Sequence, residues 1–144
     1  MEIFEAKEVT DEMVEMWRKL MPQLSSSSPL PTREQLESII NSQSVILFMA
    51  REGDKLVGSL SLIVFRVPTG VRAWIEDVIV DEAARGRGIG EALTMAAIDC
   101  ARELGVKTVD LTSRPAREAA NRLYQRVGFV QRQSNLYRFS IPQE

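Results

Sequence analysis

The segment Asp81-Glu82-Ala83-Ala84-Arg85-Gly86-Arg87-Gly88-Ile89-Gly90-Glu91 places three alternating glycines and two arginines where an apolar strand gives way to a helical pattern. A helix start presents up to four unpaired N–H groups and a partial positive charge, and glycines without Cβ atoms let anion oxygens reach the backbone. The spacing predicts a pyrophosphate cradle formed by Arg85, Gly86, Arg87, Gly88, Ile89 and Gly90. Each N–H to phosphate bond contributes roughly 1.5–3 kcal/mol because one partner is charged, so a few of them support micromolar binding. Two better-known phosphate motifs do not fit. No Gly-Lys-Ser/Thr occurs for a P-loop, and a dinucleotide fingerprint starting at Gly86 would need glycine where the chain has Glu91. A glycine-rich turn that eases entry into the helix is the plainer reading, but such a turn needs one glycine and no flanking arginines.

What the chain lacks narrows the chemistry further. It has no histidine, which removes Ser-His-Asp and Cys-His pairs, imidazole acid–base work and histidine-ligated metal. The one cysteine, Cys100, cannot form a disulfide within the chain or a zinc cluster, and it reads as a packed core thiol. No metal site is expected, and any reaction must run on carboxylates, tyrosine, water or backbone. With 144 residues, 44% of them hydrophobic and 26% charged, a single domain over residues 1–144 is expected. The longest apolar run, Val45 to Ala50, falls far short of the ~20 residues of a spanning helix. A net charge of −2 gives no electrostatic case for nucleic acid. Neither membrane nor nucleic acid is an expected partner, and without a leader-like opening the cytoplasm is the expected compartment.

The elements that must position the cradle can be read in order. Residues 2–9 alternate loosely as a strand, and Thr10-Asp11 offers an N-cap for a helix carrying Met13, Met16, Trp17 and Leu20 at helical spacing. An aperiodic serine-rich loop lies between Pro22 and Pro31, and Thr32 with Gln35 forms a capping box for a second helix to about Ile40. Strands at 44–52, 56–67 and 72–81 follow in antiparallel succession around Gly53-Asp54 and Pro68-Thr69-Gly70. The period then becomes helical over 88–104, with Ile89, Leu93, Ala96, Ala97, Cys100 and Leu104 as one stripe and Gly105 as C-cap. A strand at 106–112, a helix at 116–127 with Ala119, Ala120, Leu123 and Val127 inward, and two short strands about Ser134-Asn135 complete the pattern. The result is an α/β fold: a mixed central sheet of about seven strands, antiparallel in its N-terminal half and βαβα in its C-terminal half, with helices on both faces.

Together with that order of elements, Arg85, Gly88 and Gly90 match the Arg/Gln-x-x-Gly-x-Gly/Ala signature, and Leu123-Tyr124 with Gly128-Phe129 match a Leu-Tyr-x-x-x-Gly-Phe helix end. On these residues the chain resembles the GNAT superfamily of N-acetyltransferases, most closely over about 72–130. The resemblance implies acetyl-CoA as acetyl donor, its pyrophosphate on residues 85–90 and its pantetheine along the backbone of Val78, Ile79 and Val80. It also allows a homodimer. Where many relatives carry asparagine three residues before the helix alanine matching Ala120, this chain has Arg117, and no cofactor role is assigned to Arg117 or Asn121.

Acetylating an amine at neutral pH meets a definite obstacle: an ammonium of pKa about 10.4 is free base in only about one molecule in 10³–10⁴, a penalty near 4–5 kcal/mol. Glu76 and Asp77 interrupt an apolar strand, and charges are rarely placed there without a partner or a task. Strict alternation puts Glu76 with Trp74, Val78 and Val80, and Asp77 with Ile75 and Ile79 on the other face. Glu76 is the expected base, acting through water. Asp77 in that role, or carboxylates paired with Arg72 or Arg114, are the alternatives. The resemblance makes Tyr124 the acid that protonates the leaving thiolate. The plainer reading of Tyr124 is a core tyrosine, and that of Met13, Met16, Trp17 and Met21 a helix core beside a loop that lines an acceptor pocket. The acceptor is a small-molecule or peptide amine, and a non-catalytic acyl-CoA-binding regulatory module is the reading from another class.

Overall fold

The computed structural model describes residues 1–143. Its chain falls into two units, Met1–Thr112 and Ser113–Glu144, which are taken in turn. In the first, β1 (Glu2–Glu5), β2 (Val45–Glu52), β3 (Lys55–Val67), β4 (Gly70–Val80) and β5 (Thr108–Asp110) form one sheet in sequence order. The first three pairings are antiparallel, and β4 with β5 is parallel, as a right-handed helical crossover requires. Gly53, at φ 63°, makes the two-residue β2–β3 turn that closes on the pair Glu52 and Lys55.

Helix α1 (Asp11–Leu24) begins where Thr10 accepts a hydrogen bond from the Met13 amide at 3.2 Å, and it buries Met13, Met16, Trp17 and Leu20. It continues through Pro22, where the sequence places a loop, and so carries Gln23 on its last turn. Helix α2 (Arg33–Asn41) starts at the expected capping box: Thr32 accepts from the Gln35 amide, and the Gln35 side chain accepts from the Thr32 amide. These helices pack with Leu47, Met49 and Ile79 in one core.

The opposite sheet face takes α3 (Ile89–Glu103). Leu93 and Ile89 lie 3.4 and 3.5 Å from where a Cβ on Gly58 would stand, and that Cβ would be 2.8 Å from the Ile79 carbonyl oxygen. Only glycine lets β3, β4 and α3 approach this closely. The buried stripe of α3 is Ile89, Leu93, Ala97 and Ala101 with Thr94, whose hydroxyl donates to the Gly90 carbonyl at 2.7 Å. Leu104, expected on that stripe, is exposed, and Ala96 and Cys100 are half-buried, because the buried face advances in steps of four from Ile89.

In the second unit, α4 (Glu118–Val127) ends at Gly128, at φ 122°. Tyr124 is its one buried residue; of the residues expected to turn inward, Ala120, Leu123 and Val127 are half-buried and Ala119 is exposed. Residues 129–143 carry no strand, so the described residues form five strands rather than seven. Val130, Leu136, Tyr137, Phe139 and Ile141 of this segment are exposed, and a bare two-stranded hairpin that buries no apolar face is marginal in water.

Gly58→Ala forces a backbone clash that no rotamer relieves, and it should destabilise the fold by about 1–3 kcal/mol. Urea unfolding followed by circular dichroism reads this as a lower midpoint at unchanged slope.

Candidate active site

The site is organised by a bulge in β4. Ser61 pairs with Glu76 and Ser59 with Ile79, so two residues of β4, Asp77 and Val78, stand opposite Leu60 alone. Asp77 takes φ 50°, the one positive value outside glycine among the described residues. Left-handed backbone is costly for most side chains, and aspartate is among the few that adopt it readily. The extra residue reverses the alternation. Glu76 and Ile79, three apart, both lie opposite serines of the same β3 face, so Ile79 shares the face of Glu76 and not that of Ile75. This corrects the strict alternation expected from the sequence. Both carboxylates are exposed, and Glu76 accepts a hydrogen bond from the Trp74 indole nitrogen at 2.7 Å.

Beyond Trp74, β4 also loses its neighbour on the other side. Its parallel pairing with β5 covers only Arg72, Ala73 and Trp74. The backbone of Val78, Ile79 and Val80 therefore has no strand partner on that edge.

Val80 leads directly into the glycine segment. Asp81 accepts from the Ala83 amide at 3.2 Å and caps a 3₁₀ turn, Glu82–Ala84. Gly86 and Gly88 follow at φ 82° and 79°, and Gly88 is the N-cap of α3, with no side chain to satisfy the first-turn amides. A Cβ at either glycine would meet nothing within 4 Å, so the need for glycine here is conformational, and the space in front of the helix start is open. The Arg85 Nε donates to the Val80 carbonyl at 3.2 Å. Arg87 is committed elsewhere: it forms an ion pair with Glu52 at the end of β2 and reaches the Ala83 carbonyl.

The sequence reading missed the group that fixes this turn. Asp81, 6% exposed, is held by the Lys19 ammonium at 3.0 Å and the Gln23 amide at 3.4 Å, while the Gln23 carbonyl oxygen accepts from the Glu82 amide at 2.9 Å. Lys19 and Gln23 are one turn apart on α1, so the helix end clasps the strand-to-cradle turn. Burial alone would raise the Asp81 pKa, but the hydrogen bonds from Lys19, Ala83 and Gln23 together with the Lys19 charge hold it below its ordinary value.

Cys100 is half-buried, and burial pushes its thiol up, as befits an unreactive packing residue. Among the described residues, no group of three or more cysteines, aspartates or glutamates is arranged to hold a metal ion, and no helix is long and apolar enough to cross a membrane. Tyr124 belongs to the second unit. Its ring packs edge-on against Phe129, with centroids 5.8 Å apart, and burial raises its pKa, partly offset by Arg117. The Asn121 side chain donates to the Arg114 carbonyl at 3.0 Å and so stays within its own unit.

Residues 10–129 match the Acetyltransferase (GNAT) family, and the chain belongs to that family. It is 32% identical over 96 residues to N-alpha-acetyltransferase 30 of Schizosaccharomyces pombe, a match covering 65% of this chain and 63% of that protein. Among solved structures, an aminoglycoside acetyltransferase, meta-AAC0020, from an uncultured soil metagenomic sample, solved with trehalose and with sisomicin, superposes with a TM-score of 0.86 at 20% identity, covering 98% of this chain and 96% of that one. A putative acetyltransferase from Agrobacterium tumefaciens superposes at 0.81 with 26% identity, covering 99% and 100%.

Asp81 contributes stability that is present above the ordinary carboxylate range and lost as pH falls through its lowered folded value. Asp81→Asn should therefore cost about 1–3 kcal/mol at pH 7. That difference from the parent should shrink below about pH 4 in thermal melts taken across a pH series.

Proposed function

We propose that this chain is an N-acetyltransferase that moves an acetyl group from acetyl-CoA to a primary amine by direct attack, with no covalent enzyme intermediate. One observation carries the reading: the edge of Val78 to Val80, which has no strand partner among the described residues, runs into the capless, glycine-lined start of α3. That continuity suits a ligand with a hydrogen-bonding arm at one end and a diphosphate at the other, which is the shape of an acyl-CoA. The backbone of Val78, Ile79 and Val80 would pair with the arm. Arg85, Gly86, Arg87, Gly88, Ile89 and Gly90 would hold the diphosphate, Arg87 mainly by fixing the loop through Glu52.

In the reaction the amine nitrogen bonds to the thioester carbonyl carbon, the carbon–sulfur bond breaks, and the electron pair leaves on sulfur. An incoming ammonium sheds one proton before attack and a second as the amide forms. Glu76 takes the first through water, its carboxylate oriented by Trp74. The backbone amide of Val78, at the bulge, would donate to the carbonyl oxygen as negative charge develops there. Tyr124, whose raised pKa keeps it protonated at neutral pH, would give its proton to the departing sulfur and be restored by the second amine proton through water. A thiol of pKa near 8.5 leaves readily, so this acid need supply only one to two powers of ten. The cytoplasm is the proposed compartment.

The test is thiol release from acetyl-CoA across polyamines, amino acid amides, amino sugars and peptide N-termini, beside calorimetric titration with CoA. Tight CoA binding without release for any acceptor would make the chain a non-catalytic acyl-CoA-binding module, and no CoA binding at millimolar concentration would remove the reading altogether. Gly88→Val, which puts a branched side chain at φ 79°, should abolish CoA binding. Tyr124→Phe should lower kcat about 10- to 100-fold and leave the CoA dissociation constant within twofold.

A further inference from the structure

The glycines that lead into α3 are not shaped by packing. A Cβ at Gly86 or Gly88 would meet no atom within 4 Å, so no neighbour confines the backbone there. Glycine is also the most conformationally free residue, and a loop built on it must take its shape from its ends. One end is Ile89, buried at the first turn of α3, and the Arg87–Glu52 ion pair tethers the middle. The other end is Asp81 and Glu82, and two side chains of α1 hold it.

The Lys19 ammonium stands 3.0 Å from one oxygen of the buried Asp81 carboxylate. Gln23 grips both residues of the turn: its nitrogen donates to the other Asp81 oxygen at 3.4 Å, and its oxygen accepts from the Glu82 amide at 2.9 Å. The Asp81 amide donates to the Val57 carbonyl at 2.8 Å, which leaves the carboxylate as the part that α1 controls. Helix α1 reaches this point only by running through Pro22, which has no N–H for the Arg18 carbonyl and disfavours the turn that carries Gln23. A helix that continues past a proline is held by contacts beyond its own ladder, and Gln23 supplies two of them. Removing the Lys19 cation would leave a buried carboxylate short of its one charged partner.

We propose that Lys19 and Gln23 are positioning residues of the diphosphate cradle, acting through Asp81 and Glu82 to hold residues 82–90 in the conformation that binds CoA. Neither touches the ligand. The proposal rests on the acetyltransferase reading above. Without the clasp the same amides are present but aligned in only a fraction of the molecules, and apparent affinity falls in proportion to that fraction.

The experiment is calorimetric titration with CoA across variants that thermal melts show to be folded at the titration temperature. Lys19→Met should raise the CoA dissociation constant about tenfold and Gln23→Met about fivefold. Lys19→Arg, which keeps a cation within reach of Asp81, should stay within about threefold of the parent. Arg18→Met removes a positive charge from the next position of α1 and should stay within about twofold, which separates the clasp from a general attraction between charges. In an Asp81→Asn background Lys19→Met should add less than about twofold, because its route to the cradle is already cut. Unchanged affinity in both Lys19→Met and Gln23→Met, an equal loss in Arg18→Met, or full additivity with Asp81→Asn would overturn the proposal and leave the CoA site standing. Failure of the parent to bind CoA would instead strike the acetyltransferase reading. Amide hydrogen exchange decides the clasp in that case: residues 82–90 should exchange about tenfold faster in Lys19→Met than in the parent or Arg18→Met, and equal exchange would overturn it.

Discussion

A backbone that is denied its hydrogen bonds is the constraint around which this molecule is arranged. One surplus residue at Asp77–Val78 breaks the β3–β4 ladder, and the early end of the β4–β5 pairing frees the opposite edge. Buried amides and carbonyls almost always find partners, so a strand left open on this scale is stable only where solvent or a ligand meets it. Gly58 supports the distortion from behind by admitting the Ile79 carbonyl at a distance that any side chain would forbid. The bulge also changes which chemistry faces which way, moving Ile79 into the α1–α2 core while Asp77 stays at its margin.

The cradle depends on the strand and not the reverse. Asp81 is the last residue before the turn, and its buried carboxylate gathers three donors, Lys19, Gln23 and the Ala83 amide, into one anchor. From there two left-handed glycines swing the chain into α3, and Ile89, fully buried, fixes the first turn of that helix against the sheet. The Arg87 side chain reaches back to Glu52, so its charge is spent on shaping the loop.

Much of this was legible in the residues because it is local. Thr10, the Thr32–Gln35 box and the Gly53 turn act within four positions of themselves, and each does in the structure what its spacing implies, while Gly86 and Gly88 take left-handed backbone before α3. Long-range features escaped. Gln23 and Asp81 are 58 residues apart, and nothing in either neighbourhood announces the other. The bulge was invisible for a related reason: alternation counts residues along one strand, and a surplus residue shows only against its partner. Tyr124 drew notice through its motif, but its burial in place of the small stripe of α4 could not be read from periodicity, since alanines mark a helix face only weakly. The two terminal strands do not form about Ser134-Asn135 although apolar residues flank the turn, because a hairpin needs its apolar face buried and Val130, Leu136, Tyr137, Phe139 and Ile141 stay exposed.

One helix serves both halves of this arrangement. Trp17 and Met21 line a cavity of about 160 Å³, together with Pro31, Leu36, Ile39 and Leu47, from the same α1 whose Lys19 and Gln23 grip the turn before the glycines. A tilt or slide of α1 that widened the cavity would drag the turn with it. Exchange of Pro31 or Ile39, which wall the same cavity from outside α1, would reshape it and leave the grip on Asp81 in place.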